Sequence, residues 1–144
     1  MLLREILRIK GKLLITTTPD AMLSDGVNVM SEKDIGSLVV MHQGRLAGML
    51  TFREVLQAVH KNKGSIQGVR VDAVMVKNPK TIGPGVEVDE LRSVMLEHHI
   101  RYMPVMEGDE LIGVLSFHDV ARAVLEEQAF ENRMLKGYIK DSPT

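Results

Sequence analysis

The sequence GMLTFREVLQAV at residues 48–59 returns as GVLSFHDVARAV at residues 113–124, sixty-five positions later. Extending this shift aligns residues 16–59 with residues 81–124 without a gap, and 15 of the 44 aligned positions are identical. A unit of this size is small to fold alone. The repeat therefore predicts two related half-domains that complete each other's core.

The composition is typical of a globular protein. The chain has 144 residues, of which 44% are hydrophobic and 26% charged, and 18 basic against 19 acidic residues give a net charge of −1. This balance does not favour a nucleic-acid-binding face. The absence of cysteine excludes disulfides and thiolate chemistry. Charged residues interrupt the apolar N-terminal segment, and the uncharged runs are shorter than the roughly 18 residues of a membrane span. We expect a cytoplasmic protein with no membrane partner.

Both copies show the same order of predicted elements, βαββα. Apolar residues recur at helical spacing in the segments that follow the breaks at Pro19 and Pro84, and dense β-branched runs separated by short turns predict hairpins. The predicted elements are strands 13–17, 37–41 and 45–51 with helices 23–33 and 52–61 in the first copy, and strands 80–82, 102–106 and 111–116 with helices 87–98 and 117 onward in the second.

The segments outside the copies complete the predicted organisation. Residues 1–9 are expected to form a short helix, residues 71–75 a short turn, and the last helix is expected to continue past Glu126 towards Tyr138. The chain is accordingly divided into an N-terminal helix and linker (1–12), repeat one (13–61), a linker (62–78), repeat two (79–125) and a C-terminal helical extension with a tail (126–144).

Two βαββα copies that each contain G-φ-φ-[S/T]-x-x-[D/E], where φ is an apolar residue, resemble a tandem pair of CBS domains, also called a Bateman module. IRYMPVMEGDELIGVLSFHDV at 100–120 is very similar to the family's usual second copy, and TTTPD at 16–20 and TIGPG at 81–85 match its opening. The segment 126–139 is similar to the tails of small stand-alone CBS-pair proteins. The resemblance implies an α/β (α+β) fold in which two pseudo-symmetric βαββα repeats pack through their sheets.

The hydroxyl and the acid of each motif are the main candidates for a binding site. Thr51 and Ser116 stand where a strand gives way to a helix, beside the N–H groups of a first turn that favours negative charge. Glu54 and Asp119 follow one turn later on the same side, where a carboxylate can accept both hydroxyls of a ribose. The alternative is helix capping, since [S/T]-x-x-[D/E] is also the capping box. The longer Glu54 would have to fold back to reach the same ribose.

Further candidates follow from the resemblance, each with an ordinary structural alternative. Arg101 stands where nucleotide-binding relatives place a cation against phosphate, whereas Gly36 is the uncharged equivalent in the first copy. Arg53 and His118 lie inside the motifs and are near enough in sequence to meet a phosphate, although solvated helix residues are more common. The remaining candidates are Thr16 and Thr81, as pocket residues or caps of the next helices, and Met103, as core with an edge against adenine.

The resemblance implies a regulatory module that binds an adenine nucleotide in the cleft between the repeats, with AMP or ADP ahead of ATP, NADH or S-adenosylmethionine. It also implies a homodimer that acts on an unidentified regulated protein and requires no cofactor. The alternative is a ligand-free interaction module. We do not expect an enzyme or a metal site, because the sequence has no G-x-S-x-G, P-loop or H-E-x-x-H motif. Arg101 and the shorter acid predict that the second site binds more tightly than the first.

Overall fold

The computed structural model describes residues 1–11 and 14–141 of the chain. Its elements follow the order predicted from the sequence, except that a strand forms at Val76–Lys77 and none forms at 80–82. The helices are α1 (Leu3–Lys10), α2 (Leu23–Lys33), α3 (Phe52–Lys61), α4 (Val88–His98) and α5 (Phe117–Asp141), with a short 3-10 helix at Val71–Ala73. The strands are β1 (Thr16–Thr17), β2 (Ser37–His42), β3 (Arg45–Thr51), β4 (Val76–Lys77), β5 (Tyr102–Glu107) and β6 (Glu110–Ser116).

The strands form a sheet of order β1-β2-β3-β4 and a separate β5-β6 hairpin. β1 runs parallel to β2 and pairs Thr17 with Val40, while β2, β3 and β4 are antiparallel. At the equivalent place in the second copy, Ile82 forms only an isolated parallel bridge with Val105. The predicted strand 80–82 was therefore wrong in extent. Prolines at 79 and 84 flank this segment, and a proline cannot donate to a strand ladder.

The helix predictions were largely confirmed. α2 and α3 occupy the predicted residues, and α5 is 25 residues long, so the last helix does continue past Glu126. α2 and α4 also end alike, because Asp34 and His99 both have left-handed backbone angles, with φ of 51° and 54°. A left-handed residue at this place ends a helix by redirecting the chain after the last turn. The sequence repeat is therefore a structural repeat down to the helix ends.

The described residues fall into two compact units, and each unit includes the segment that precedes the other sequence repeat. One unit contains residues 1–11, 82–107 and 112–141, and the other contains residues 14–81 and 108–111. The buried side chains that form the core cluster of the first unit are Leu3, Ile6, Leu7, Val88, Leu91, Met95, Met103, Val105, Leu115, Val120 and Ala123. Those of the second are Leu23, Met30, Leu38, Val40, Leu50, Ala58 and Val71.

Backbone hydrogen bonds attach these exchanged segments in the same way. The N–H of Leu3 donates to the carbonyl of Val86 at 2.9 Å, just before α4. In the other unit the N–H of Val71 donates to the carbonyl of Ala21 at 2.9 Å, just before α2. The segment that precedes repeat one thus packs on repeat two, and the segment that precedes repeat two packs on repeat one.

The glycine of each motif makes room for the exchanged segment. A Cβ on Gly48 would lie 2.6 Å from the backbone oxygen of Val76 and 2.9 Å from the sulfur of Met75. A Cβ on Gly113 would lie 2.5 Å from a methyl group of Leu7. All three distances are too short for a Cβ atom, so a neighbouring atom would have to move. The glycine that begins G-φ-φ-[S/T] therefore packs closely against the exchanged segment in each copy, against backbone at Gly48 and against a side chain at Gly113.

Candidate functional site

The motif of the second repeat joins its hydroxyl and its acid directly. The backbone N–H of Ser116 donates to Oδ2 of Asp119 at 2.8 Å, and the N–H of Asp119 donates to Oγ of Ser116 at 3.0 Å. These reciprocal bonds form a capping box at the start of α5. The capping interpretation is therefore confirmed for this copy. The carboxylate nevertheless stays accessible, because the side chain of Asp119 is 20% exposed.

A lysine from the N-terminal helix also meets this carboxylate. Nζ of Lys10 donates to Oδ2 of Asp119 at 2.7 Å and to the backbone oxygen of Val114 at 2.9 Å. Burial of Asp119 raises the pKa of its carboxyl group, but the hydrogen bonds from Lys10 and Ser116 outweigh burial and lower the pKa overall. The motif therefore presents an ionised carboxylate that already has a counter-ion.

Sequence reasoning did not identify Lys10 as a site residue. It stands 109 positions from Asp119 and outside both repeats. The available signal was weak, since a basic residue in the last turn of a helix is ordinarily explained by the helix dipole. The contact became visible only when α1 was found packed in the same unit as α5.

The motif of the first repeat has a different geometry. Oε1 of Glu54 accepts from the backbone N–H of Thr51 at 2.9 Å and from its hydroxyl at 2.6 Å, while Oγ1 of Thr51 accepts from the N–H of Arg53 at 3.2 Å. Glu54 is 7% exposed and is the one buried charged residue in the described part of the chain. The glutamate does fold back, but onto its own helix cap. The capping interpretation is therefore confirmed here too.

The residues that precede β2 and β5 are tied to the motif helices. The N–H of Phe117 donates to the carbonyl of Arg101 at 2.7 Å, and the N–H of Phe52 donates to the carbonyl of Gly36 at 3.0 Å. The backbone of Arg101 is therefore one hydrogen bond away from the start of α5, and the residue is exposed. The first repeat has an uncharged residue at the same place.

The other candidates within the motifs and strands lie in contrasting environments. His118 and Arg53 are exposed in the first turns of α5 and α3. Met103 is 1% exposed and belongs to the core of its unit. This burial favours the core part of its prediction, in which Met103 is a core residue with one edge against adenine.

The two threonines lie outside the motif contacts. Thr16 and Thr81 are exposed, the first in β1 and the second just before the bridge at Ile82. The alternative that they cap the next helices was wrong, because α2 and α4 begin after Met22 and Glu87 with no side-chain cap. Their place in a ligand pocket stays a prediction.

The chemistry of this arrangement is that of binding. The hydroxyl of Ser116 can donate and accept hydrogen bonds, the carboxylate of Asp119 can accept them, and Lys10 and Arg101 supply positive charge on the same unit. Within residues 1–11 and 14–141, no three His, Asp or Glu side chains converge as a metal site would require. None of the helices in these ranges combines the length and the apolar character needed to cross a membrane.

Comparison with known proteins identifies the family. The CBS domain model matches residues 12–61 and 71–126. The mitochondrial CBS domain-containing protein CBSX3 of Arabidopsis thaliana is 30% identical over 145 residues, which cover 94% of this chain and 70% of the relative.

Solved structures agree on the fold. A CBS-domain containing protein from Agrobacterium tumefaciens superposes with a TM-score of 0.81 at 27% identity, over 85% of this chain and 98% of that one. A CBS domain pair in complex with 5′-methylthioadenosine and S-adenosyl-L-methionine superposes with a TM-score of 0.75 at 22% identity, over 88% of this chain and 98% of that one. The second likeness is one of fold.

Proposed function

Because the chain belongs to the CBS domain family, as a regulatory CBS pair, we propose that it binds an adenine nucleotide, AMP or ADP, through the motif of its second repeat. In this proposal the ribose hydroxyls donate to Asp119, and the start of α5 and Arg101 meet the phosphate. No catalytic role is assigned, since the residues named here hold a ligand without offering a reaction. The protein would then report nucleotide occupancy to a regulated partner.

The partly exposed, ionised carboxylate of Asp119 is the observation that carries this proposal. A capping box requires only that the acid reach back to the cap, which leaves no need for exposure. Asp119 caps α5 and still has 20% of its side chain exposed, with a cation at hydrogen-bond distance. A carboxylate in this state can accept the two hydroxyls of a ribose. The ligand-bound CBS pair with the same fold supports an adenosyl compound as the ligand class.

Thermal unfolding in the presence of candidate ligands tests the proposal. AMP, ADP, ATP, NADH and S-adenosylmethionine are compared with inorganic phosphate and UMP at equal concentration. A ligand at one hundred times its Kd stabilises the folded protein by about 2.7 kcal/mol, which gives a clear rise in Tm. A rise with AMP or ADP and none with UMP supports the proposal. No rise with any adenosyl compound contradicts it and favours a ligand-free module.

Exposed apolar side chains favour a second role in self-association. α3 exposes 67% of Leu56, and α5 exposes 65% of Leu125, although each helix buries its opposite side. Large apolar side chains in water are stabilised when a partner covers them. We propose that these helix faces pair in a homodimer, as the family resemblance implies.

Sedimentation equilibrium measures the assembly. A dimer of the 16.1 kDa chain has a mass of about 32 kDa, twice the chain mass. Leu56→Glu is expected to weaken the dimer, whereas Gln57→Glu, an exposed neighbour on the same helix, controls for added charge. A wild-type monomer at tens of micromolar contradicts the homodimer.

A further inference from the structure

The geometry points to Lys10 as the residue that selects ligands at the second motif: we propose that it makes Asp119 available to phosphorylated nucleosides in preference to uncharged or cationic adenosyl compounds. The inference rests on the proposed function, because it specifies the charge of the ligand that binds the same carboxylate. It assigns to α1, which lies outside both sequence repeats, a direct part in ligand choice.

The contact with Lys10 is made at one oxygen of the Asp119 carboxylate, Oδ2. Oδ2 of Asp119 accepts from Lys10 at 2.7 Å and from the Ser116 N–H at 2.8 Å. The N–H of Ser116 is fixed by the backbone, whereas the lysine ammonium is at the end of a flexible four-carbon chain. A ribose hydroxyl that donates to Oδ2 of Asp119 therefore competes with Lys10 and leaves the Ser116 bond in place.

Lys10 is able to move without unfolding α1. The helix is held in its unit by Leu3, Ile6 and Leu7, which are 0%, 6% and 8% exposed. The side chain of Lys10, in contrast, is 39% exposed and lies in the last turn, just before Gly11. Displacement of the ammonium from Asp119 thus requires a rotamer change and no loss of core packing.

The charge of the ligand decides what happens to the displaced ammonium. A neutral nucleoside removes the anion from Lys10 and supplies no replacement, while a sulfonium ligand adds a like charge. A phosphate monoester supplies a new anion, and hydrogen bonds between ionised groups are about twice as strong as neutral ones. A nucleotide therefore replaces the charge-assisted bond that Lys10 loses, whereas a ligand without a negative charge leaves that loss uncompensated.

The first repeat lacks this device. Leu7 and Met75 contact the equivalent glycines Gly113 and Gly48, and they are sixty-eight residues apart. Lys10 follows Leu7 by three residues on the helix α1, whereas the chain after Met75 continues as the strand β4, so no residue of β4 has the helical placement of Lys10. Among the described residues, no ion pair involves the acid of the first motif.

Calorimetric titration with AMP and adenosine tests the inference in four proteins: wild type, Lys10→Met, Lys10→Arg and Arg8→Met. In Lys10→Met the preference for AMP over adenosine, expressed as the ratio of Kd values, is expected to fall about tenfold, because the competitor of adenosine and the partner of the phosphate are both removed. Lys10→Arg keeps a cation and should retain the preference. Arg8→Met removes a cation from another side of α1 and should leave the ratio unchanged.

The outcomes separate this inference from the proposed function. If wild type binds AMP but Lys10→Met has the same ratio, or weakens both ligands equally, the role of Lys10 is overturned and nucleotide binding stands. If wild type binds neither AMP nor adenosine, the proposed function fails and this inference fails with it. Circular dichroism and urea unfolding verify that Lys10→Met is folded, so a lost ratio is read as a property of the site.

Discussion

The two motifs share a backbone design and differ in what they do with a carboxylate. Both end a strand with a hydroxyl residue and begin a helix with phenylalanine, whose backbone N–H donates to the carbonyl of the residue before β2 or β5. Glu54 is turned inwards onto Thr51 and is 7% exposed, whereas Asp119 caps its helix with 20% of its side chain exposed. One additional methylene group allows the glutamate to bond both the N–H and the hydroxyl of its cap. The shorter acid leaves its carboxylate at the surface, where a ligand can compete for it.

The largest difference between the two motifs is expected in ligand affinity when each acid is replaced in turn. Asp119→Ala is expected to weaken AMP binding on the order of fiftyfold, or about 2.3 kcal/mol, because hydrogen bonds to a charged group are lost. The fold should persist, since the ammonium of Lys10 is 39% exposed and can be hydrated. Glu54→Ala should leave the tight site unchanged. If calorimetric titration shows that the tight site is lost in Glu54→Ala and retained in Asp119→Ala, binding belongs to the first repeat and the prediction is wrong.

The two motif glycines should differ in their tolerance of a methyl group. Gly48→Ala is expected to lower the free energy of unfolding by about 2 kcal/mol, because the new Cβ meets the backbone oxygen of Val76, which cannot move without distorting β4. Gly113→Ala meets only a methyl group of Leu7, which can rotate, so its effect should be smaller. Urea unfolding of both variants measures the difference, and equal losses would show that Leu7 is as constrained as a backbone atom.

The buried acid should matter more to stability than the exposed one. Glu54→Ala removes both bonds to Thr51 from a buried cap, and such a loss typically costs about 1 kcal/mol. Asp119→Ala also removes a cap, but its side chain is more exposed and its loss should cost less. Unfolding free energies measured without ligand rank the two. A larger loss for Asp119→Ala would mean that its ion pair with Lys10 serves mainly to hold α1.

The smallest expected difference between wild type and a variant is in how the free energy of unfolding changes on acidification. The pKa of Asp119 is lower in the folded than in the unfolded protein, so its ionisation stabilises the fold above the unfolded pKa of about 3.9. This contribution is lost as the pH falls through the folded pKa. The unfolding free energy of Asp119→Asn should therefore fall less than that of wild type between pH 6 and pH 3. Parallel curves would contradict the role of the Lys10 ion pair.

An acid in the other repeat provides the matched control. The hydroxyl of Thr18 donates to Asp20 at 2.8 Å and lowers the pKa of that carboxyl group. Asp20 is exposed, so water screens the interaction and Asp20→Asn should change the acid dependence less than Asp119→Asn does.

Local patterns were sufficient to predict most of the fold. The period of the apolar residues placed α2 and α3, and the turn residues placed the β2-β3 hairpin, because these signals are contained within a few residues. β4 escaped prediction, since Val76–Lys77 becomes a strand only by pairing with Gly48 and Met49 on β3. The local sequence around Val76 and Lys77 does not predict that pairing.

The site was predicted in part for the same reason. Ser116 and Asp119 are three residues apart, so their contact follows from helix geometry. The contact of Asp119 with Lys10 depends on α1 packing beside repeat two, and no repeat, period or spacing in the sequence reports that exchange. Sequence reasoning thus recovered the part of the site made by one turn of helix and missed the part made by tertiary structure.

The exchange of segments between repeats also sets an order of events during translation. Leu3, Ile6 and Leu7 are synthesised before most of the side chains they pack with, which lie between residues 88 and 123. At about 5–20 residues per second, an apolar face of α1 waits several seconds for its partners to emerge. All of the other unit except residues 108–111 has been synthesised by residue 81, while most partners of α1 are still missing. The nascent chain therefore passes through a stage in which the apolar face of α1 is exposed because its partners have not been synthesised. We expect a chaperone to act at this stage.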